Sequence, residues 1–221
     1  MRRGEQSTLD QTSLEELIRA EGYRWMAGVD EAGRGPLAGP VVAGAVITTP
    51  GDRIPGVRDS KLLTPRQRER LFQIITSRAV SWGVGIVGPR EIEKYNILQA
   101  TLRAMKAAVL SLDPVPDFLL IDGINHIPID LPQRAIKRGD ASCFSIAAAS
   151  IVAKVTRDRL MMEYHQLYPL YNFARHKGYP TRAHREAICQ YGCCEIHRRT
   201  FRGVKEHLEA GHERCHEDTR V

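Results

Sequence analysis

The amino-acid sequence predicts an α/β fold, a mixed central sheet flanked by helices and followed by a helical C-terminal region. Short β-branched runs come first as a meander and later alternate with helical segments, the pattern of a sheet covered by helices. The 221 residues are 43% hydrophobic and 26% charged, enough for one sizeable core. No internal repeat or low-complexity linker divides the chain.

Residues 1–22 read as a polar leader with one short, peripheral helix over 14–20, capped by Thr12 or Ser13, with Glu15 and Glu16 near its positive end. Residues 23–30 and 40–48 read as strands, joined irregularly by the glycine-rich stretch 33–39. Asp59, Ser60 and Lys61 fall in a loop, and Thr64-Pro65 opens a helix to about Arg78. Residues 81–87 alternate as a third strand. Pro89 starts a helix to about Leu112 that carries Ile92, Leu98, Leu102 and Met105 at helical spacing. Residues 117–121 form a short apolar strand ending at Asp122-Gly123, and 135–137 a further one ending at Gly139-Asp140. Residues 142–164 form a long helix whose alanine- and serine-rich first half permits close approach to a sheet. Helices over 182–190 and part of 204–209 complete the chain.

The longest apolar stretches, 38–47 and 145–153, fall short of the ~18 residues a membrane span needs, and no signal peptide follows Met1. A cytoplasmic, membrane-free protein is expected, with its five irregularly spaced cysteines as free thiols. The net charge of +6 is unevenly spread. Residues 206–221 carry −3 and read as an acidic, flexible tail, whereas 175–205 hold eight bases and two acids. That concentration suits a polyanion such as nucleic acid, and equally a solvated basic face.

Asp30 and Glu31 close an apolar strand and are followed at once by Gly33, Arg34 and Gly35. Asp122 ends another apolar strand and Asp140 follows a third. Four carboxylates at strand ends would converge on one edge of the sheet, where α/β folds place their sites. Their mutual repulsion calls for a hard divalent cation, Mg²⁺ or Mn²⁺, since no His and Cys stand at zinc spacing. Adjacent residues of a regular strand face opposite ways, so Asp30 and Glu31 share a metal only if the strand bends or ends there, or if a backbone carbonyl stands in for a side chain.

The block Gly28-Val29-Asp30-Glu31-Ala32-Gly33-Arg34-Gly35-Pro36-Leu37-Ala38-Gly39-Pro40 resembles the signature of the type 2 ribonucleases H. Asp59-Ser60-Lys61, Tyr95-Asn96-Ile97, Ile121-Asp122-Gly123, Gly139-Asp140, the stretch 147–158 and His176 to Thr181 resemble later blocks of that family in the same order. The resemblance runs from about Tyr23 to Lys205, which makes 23–205 the expected catalytic domain. It implies a ribonuclease H-like fold and an endonuclease that cuts the RNA strand of RNA–DNA hybrids. It also implies cutting 5′ to single ribonucleotides in duplex DNA, by two-metal hydrolysis that leaves 3′-hydroxyl and 5′-phosphate ends.

By the same resemblance the metal-binding carboxylates are Asp30, Glu31, Asp122 and Asp140. The Gly33-Arg34-Gly35 backbone recognises the ribose 2′-hydroxyl, and Tyr179 packs on the sugar of the following nucleotide. Ser60, Lys61, Asn96, Lys154, His176 and Lys177 are candidates for phosphate contacts, and Arg182, Arg185, Arg198, Arg199 and Arg202 would extend the basic footprint. Asp158, between Arg157 and Arg159, reads as a structural ion pair. His207, His212, Cys215 and His216 match no zinc template, and Cys193-Cys194 reads as a pair of idle thiols. Two rivals are a binding module without activity, disfavoured by four acids facing phosphate, and a type 3 ribonuclease H, for which the short leader leaves no room. A monomer is expected.

Overall fold

The computed structural model describes residues 14–208, apart from 52 and 59. The expected caps Thr12 and Ser13, the loop residue Asp59 and the tail residues His212, Cys215 and His216 lie outside them. Five strands form one mixed sheet in the order β3-β2-β1-β4-β5: β1 (Met26–Ala32), β2 (Val41–Ile47), β3 (Ser81–Val87), β4 (Phe118–Asp122) and β5 (Gln133–Ile136). The first three form the antiparallel meander, and β4 and β5 run parallel to β1.

The helices are α1 (Leu14–Ala20), α2 (Pro65–Arg78), α3 (Pro89–Leu110), α4 (Phe144–Leu167), α5 (Phe173–His176) and α6 (Arg182–Tyr191). Strand alternation sorts the two faces. Ala27, Val29, Ala43, Ala45, Leu119 and Ile121 pack with Ala104, Ala108 and Val109 of α3. Val46 packs on the other face with Ala148, Ala149 and Val152 of α4, where α2 adds Leu71, Phe72 and Ile75. Helix and sheet approach closely because glycine stands at the contact. A Cβ on Gly44 would lie 2.5 Å from the Ala149 carbonyl oxygen, and one on Gly85 would run into that of Ala104.

The structure changes three expectations. Helix α1 is docked rather than peripheral: Ile18 is buried with Met26, Leu120 and Ile146, and Glu15 accepts the N–H groups of Phe144 (3.3 Å) and Ser145 (2.8 Å) at the start of α4. Glu15 therefore caps a helix 130 residues away, because the N-cap residue of α4, Cys143, makes no side-chain bond there. Helix α3 is two helices broken at Asn96 (φ 66°), whose Oδ1 accepts the N–H groups of Leu98 and Gln99 and so caps the second. Strand β1 neither bends nor ends at the acidic pair, since Glu31 pairs with Ala43 and Ala32 with Val42. Thr64, as expected, caps α2 in a reciprocal box with Gln67. Among the described residues no helix is long and apolar enough to cross a membrane, and Cys143, Cys189, Cys193 and Cys194 are free thiols.

Candidate active site

Asp30 on β1 and Asp122 on β4 have the same strand parity as Gly28 and Leu120, so both face α4. Asp140 sits in the 3₁₀ turn Gly139–Ala141 just ahead of that helix. Carboxylate oxygens of these three residues lie within 4.8 Å of one another. Asp30 and Asp140 are buried and Asp122 is partly so. Asp30 Oδ1 accepts the Glu31 N–H (2.7 Å), Asp122 Oδ1 accepts the Gly139 N–H (2.7 Å), and Lys61 Nζ donates to Asp140 Oδ2 (3.1 Å).

Burial first, then the charges of Glu31, Asp122 and Asp140, hold the Asp30 carboxyl well above the usual carboxylate range. Burial also raises Asp122, with Asp140 adding to the shift and the Gly139 N–H opposing it. Three crowded carboxylates form a donor set complementary to a hard cation, and oxygen-only ligands fit Mg²⁺ or Mn²⁺. Glu31 has the opposite parity and is not one of the three. Its carboxylate meets Arg34 Nη1 at 3.4 Å. Burial raises its carboxyl while Arg34 lowers it, and Asp122 and Lys61 are still felt there.

The glycine-rich segment between β1 and β2 lies beside the segment that carries Tyr179. Leu37 N–H donates to the Gly178 carbonyl (2.8 Å), and a Cβ on Gly35 would touch Tyr179 Cε1 at 3.9 Å. Gly33 has φ 101° and no room for a side chain, because Arg157 and the Pro40 carbonyl fill the space. Tyr179 is 41% exposed, with Lys154 Nζ and Arg157 Cζ at 5.9 and 5.8 Å from its ring centre.

The other expected contacts divide. Lys61 and Asn96 are exposed, Lys61 paired to Asp140. Lys154 is bound to Asp158 (2.6 Å), which Arg68 also meets at 3.6 Å, so Asp158 is an ion-pair residue as expected, with partners other than its neighbours. Lys177 Nζ bonds the Ala174 carbonyl. Ser60 is buried, its Oγ accepting from the Ser150 hydroxyl (2.7 Å). His176 is buried too. Its Nε2 donates to the Tyr171 carbonyl and its Nδ1 accepts the Gly178 N–H, which leaves the ring no free nitrogen for substrate. Arg198 is fully buried and extends no basic footprint, whereas Arg182, Arg185, Arg199 and Arg202 are exposed.

Sequence reasoning missed what holds this site. Arg157 donates to the carbonyls of Pro40 (3.0 Å), Ala38 (3.2 Å) and Lys177 (3.0 Å), and Arg198 to those of Gly39 (2.9 Å), Arg34 (3.0 Å) and Gly33 (2.6 Å). Behind Tyr179 runs a buried imidazole chain. His184 Nδ1 donates to the Tyr179 carbonyl, His197 Nε2 to His184 Nε2, and the Cys194 N–H to His197 Nδ1. Burial pushes both of these imidazoles down to about 4, so the chain is neutral at pH 7. The eight-base stretch was the only sequence signal near these groups, and it pointed outward.

A five-stranded mixed sheet in this order, with an acid cluster on its helix-covered face and a glycine-rich segment following the first acidic strand, defines a nuclease of the ribonuclease H type. Solved structures agree in fold. The ribonuclease H2 of Pyrococcus horikoshii aligns with TM-score 0.74 and 31% identity over 86% of this chain and 100% of its own. The Archaeoglobus fulgidus RNase HII solved in complex with PCNA aligns at 0.70 and 25% identity, over 81% of this chain and 96% of its own. The ribonuclease HII family model matches residues 27–204. The ribonucleases HII of Geobacter metallireducens and Geobacter sulfurreducens are 59% and 58% identical over 89% and 91% of this chain and 92% of each relative. The chain belongs to the ribonuclease HII family. It is accordingly a hydrolase, a divalent-metal-dependent endoribonuclease acting on RNA–DNA hybrids.

Proposed function

We propose that this protein also cuts duplex DNA on the 5′ side of single embedded ribonucleotides, leaving 3′-hydroxyl and 5′-phosphate ends. The observation that carries this reading is the bare backbone of Gly33–Gly35 set against the exposed ring of Tyr179, beside the acid cluster. Asp30, Asp122 and Asp140 would hold the divalent cations, Mg²⁺ or Mn²⁺, with Glu31 contributing by side chain or backbone carbonyl. Bound there, two such cations supply Lewis-acid chemistry at the phosphodiester, activating water and stabilising the departing 3′ oxygen.

The chain's own groups supply selection. Gly33–Gly35 lets a ribose approach to backbone distance, where a 2′-hydroxyl finds peptide partners that deoxyribose cannot use. The Tyr179 ring supports the next sugar, with Lys154 and Arg157 beside the ring on its protein side. Lys61, Arg34, Asn96 and Lys177 would make further phosphate contacts. Ser60 and His176 act as struts that set the Lys61 and Tyr179 segments. Residues 23–205 form the catalytic unit, flanked by the leader 1–22 and the acidic tail 206–221, and it works as a monomer in the cytoplasm.

The test is cleavage of an end-labelled DNA duplex holding one ribonucleotide, with Mg²⁺, Mn²⁺ or chelator, against an all-DNA duplex and the Asp30→Asn protein. A metal-dependent cut on the 5′ side of the ribonucleotide, absent from both controls, is expected. Cutting of continuous hybrid without cutting at the single ribonucleotide would restrict the activity to hybrids and overturn the proposal.

A further inference from the structure

Arg157 and Arg198 are the two largest fully buried side chains, and among the described residues neither has a carboxylate within ion-pair distance. Six backbone carbonyls solvate their charges instead. Burial without a counter-ion is costly, which shows in the lowered basicity of Arg157 and in that of Arg198, pushed down to about 9. An apolar side chain would fill such a space more cheaply, so the cations require a reason beyond packing.

The two forks grip different things. All three carbonyls held by Arg198 belong to the glycine-rich segment: Gly33, Arg34 and Gly39. Arg157 holds that segment by the Ala38 and Pro40 carbonyls and also takes the Lys177 carbonyl, two residues before Tyr179. Its stem fills the space that a Cβ on Gly33 would need, and its guanidinium lies 5.8 Å from the tyrosine ring centre. One planar group thus spans both elements that would meet the sugars. A lysine carries its three donors on one nitrogen and cannot reproduce a planar fork whose three nitrogens reach three separated carbonyls.

We propose that Arg157 is a positioning residue that sets the spacing between the Gly33–Gly35 backbone and Tyr179, and with it the preference for a ribonucleotide followed by DNA over continuous RNA. Arg198 shapes the loop alone. The inference rests on the reading of Gly33–Gly35 and Tyr179 as the sugar-sensing elements.

The experiment measures kcat and KM for a single-ribonucleotide duplex and for an all-RNA hybrid of equal length. It compares the wild type, Arg157→Lys, Arg157→Gln, Arg198→Lys, Tyr179→Ala and the Arg157→Lys/Tyr179→Ala double variant, each with a thermal melt. Arg157→Lys should lower the ratio of kcat/KM for the two substrates roughly tenfold, the effect of one misplaced sugar contact, and Arg198→Lys should reduce both substrates alike. The double variant should lose no more selectivity than Tyr179→Ala alone, because the arginine acts through the tyrosine. An unchanged ratio, additive losses in the double variant, or failure of both Arg157 variants to fold would overturn the inference and leave Arg157 a strut. A wild type that does not cut the single-ribonucleotide duplex would overturn the underlying reading, and the inference with it. A wild type that cuts while the variants keep its ratio removes the inference alone.

Discussion

Replacing one acid of the Asp30, Asp122, Asp140 cluster removes a proposed metal ligand and a repulsion together. Because burial and neighbouring charge raise the Asp30 carboxyl, its ionised form at neutral pH opposes folding when no cation is bound. Asp30→Asn should therefore melt a few degrees above the wild type in chelator, and Mg²⁺ or Mn²⁺ should raise the melting temperature of the wild type only. Calorimetry with and without metal checks both, and a variant stabilised by metal as strongly as the wild type would contradict the ligand role. Asp30 and Asp122 were legible because each closes an apolar run, where an unpaired charge is out of place, and Asp140 because it follows a short strand at a glycine turn. Glu31 was ambiguous for the reason alternation gives: its strand parity is opposite to that of Asp30. Arg157 and Arg198 were illegible: on a charged helix stretch and in a basic tail segment, an arginine reads as solvent-facing, and only tertiary carbonyls show otherwise.

Caps and contact glycines decide how the elements sit. Glu15→Ala would leave the Phe144 and Ser145 N–H groups at the start of α4 without their acceptor, and should cost about 1–2 kcal/mol in urea unfolding. A midpoint unchanged from the wild type would show that water replaces the carboxylate. Gly85→Ala would drive a methyl into the backbone of α3 at Ala104 and Ala108, and should cost about 3 kcal/mol or more. Strand alternation and the Thr64 and Pro89 helix starts were readable because they follow local rules. The break at Asn96 was not, since no proline or glycine marks it, and neither was a cap supplied by Glu15 from a separate helix.

Across the whole molecule the pH dependence of stability should carry the imprint of the imidazole chain. His184 and His197 titrate near 4 in the fold, against an ordinary 6.5, so between those values the unfolded chain binds more protons. Their contribution is complete above pH 6.5 and constant below 4. Between the two it shrinks on acidification, at a rate of about 1.4 kcal/mol per pH unit for each ring. The acid cluster works in the opposite direction. The measurement is therefore the difference in urea midpoint between the wild type and His197→Gln from about pH 4 to 8, which should narrow on acidification.

The glycine-rich loop is held from both ends of the primary structure. Asp30, Asp122 and Asp140 are all in place once about two thirds of the chain has been made, together with the start of the helix that covers them. The carbonyls of Gly33, Arg34 and Gly39 must wait for Arg198, some 160 residues after the loop itself. The three acids are thus synthesised well before the arginine that clamps the glycine-rich loop. A protease nick between Tyr191 and Arg198 followed by loss of the C-terminal piece would be expected to yield an enzyme that still binds metal yet has lost the clamp on its sugar-reading loop.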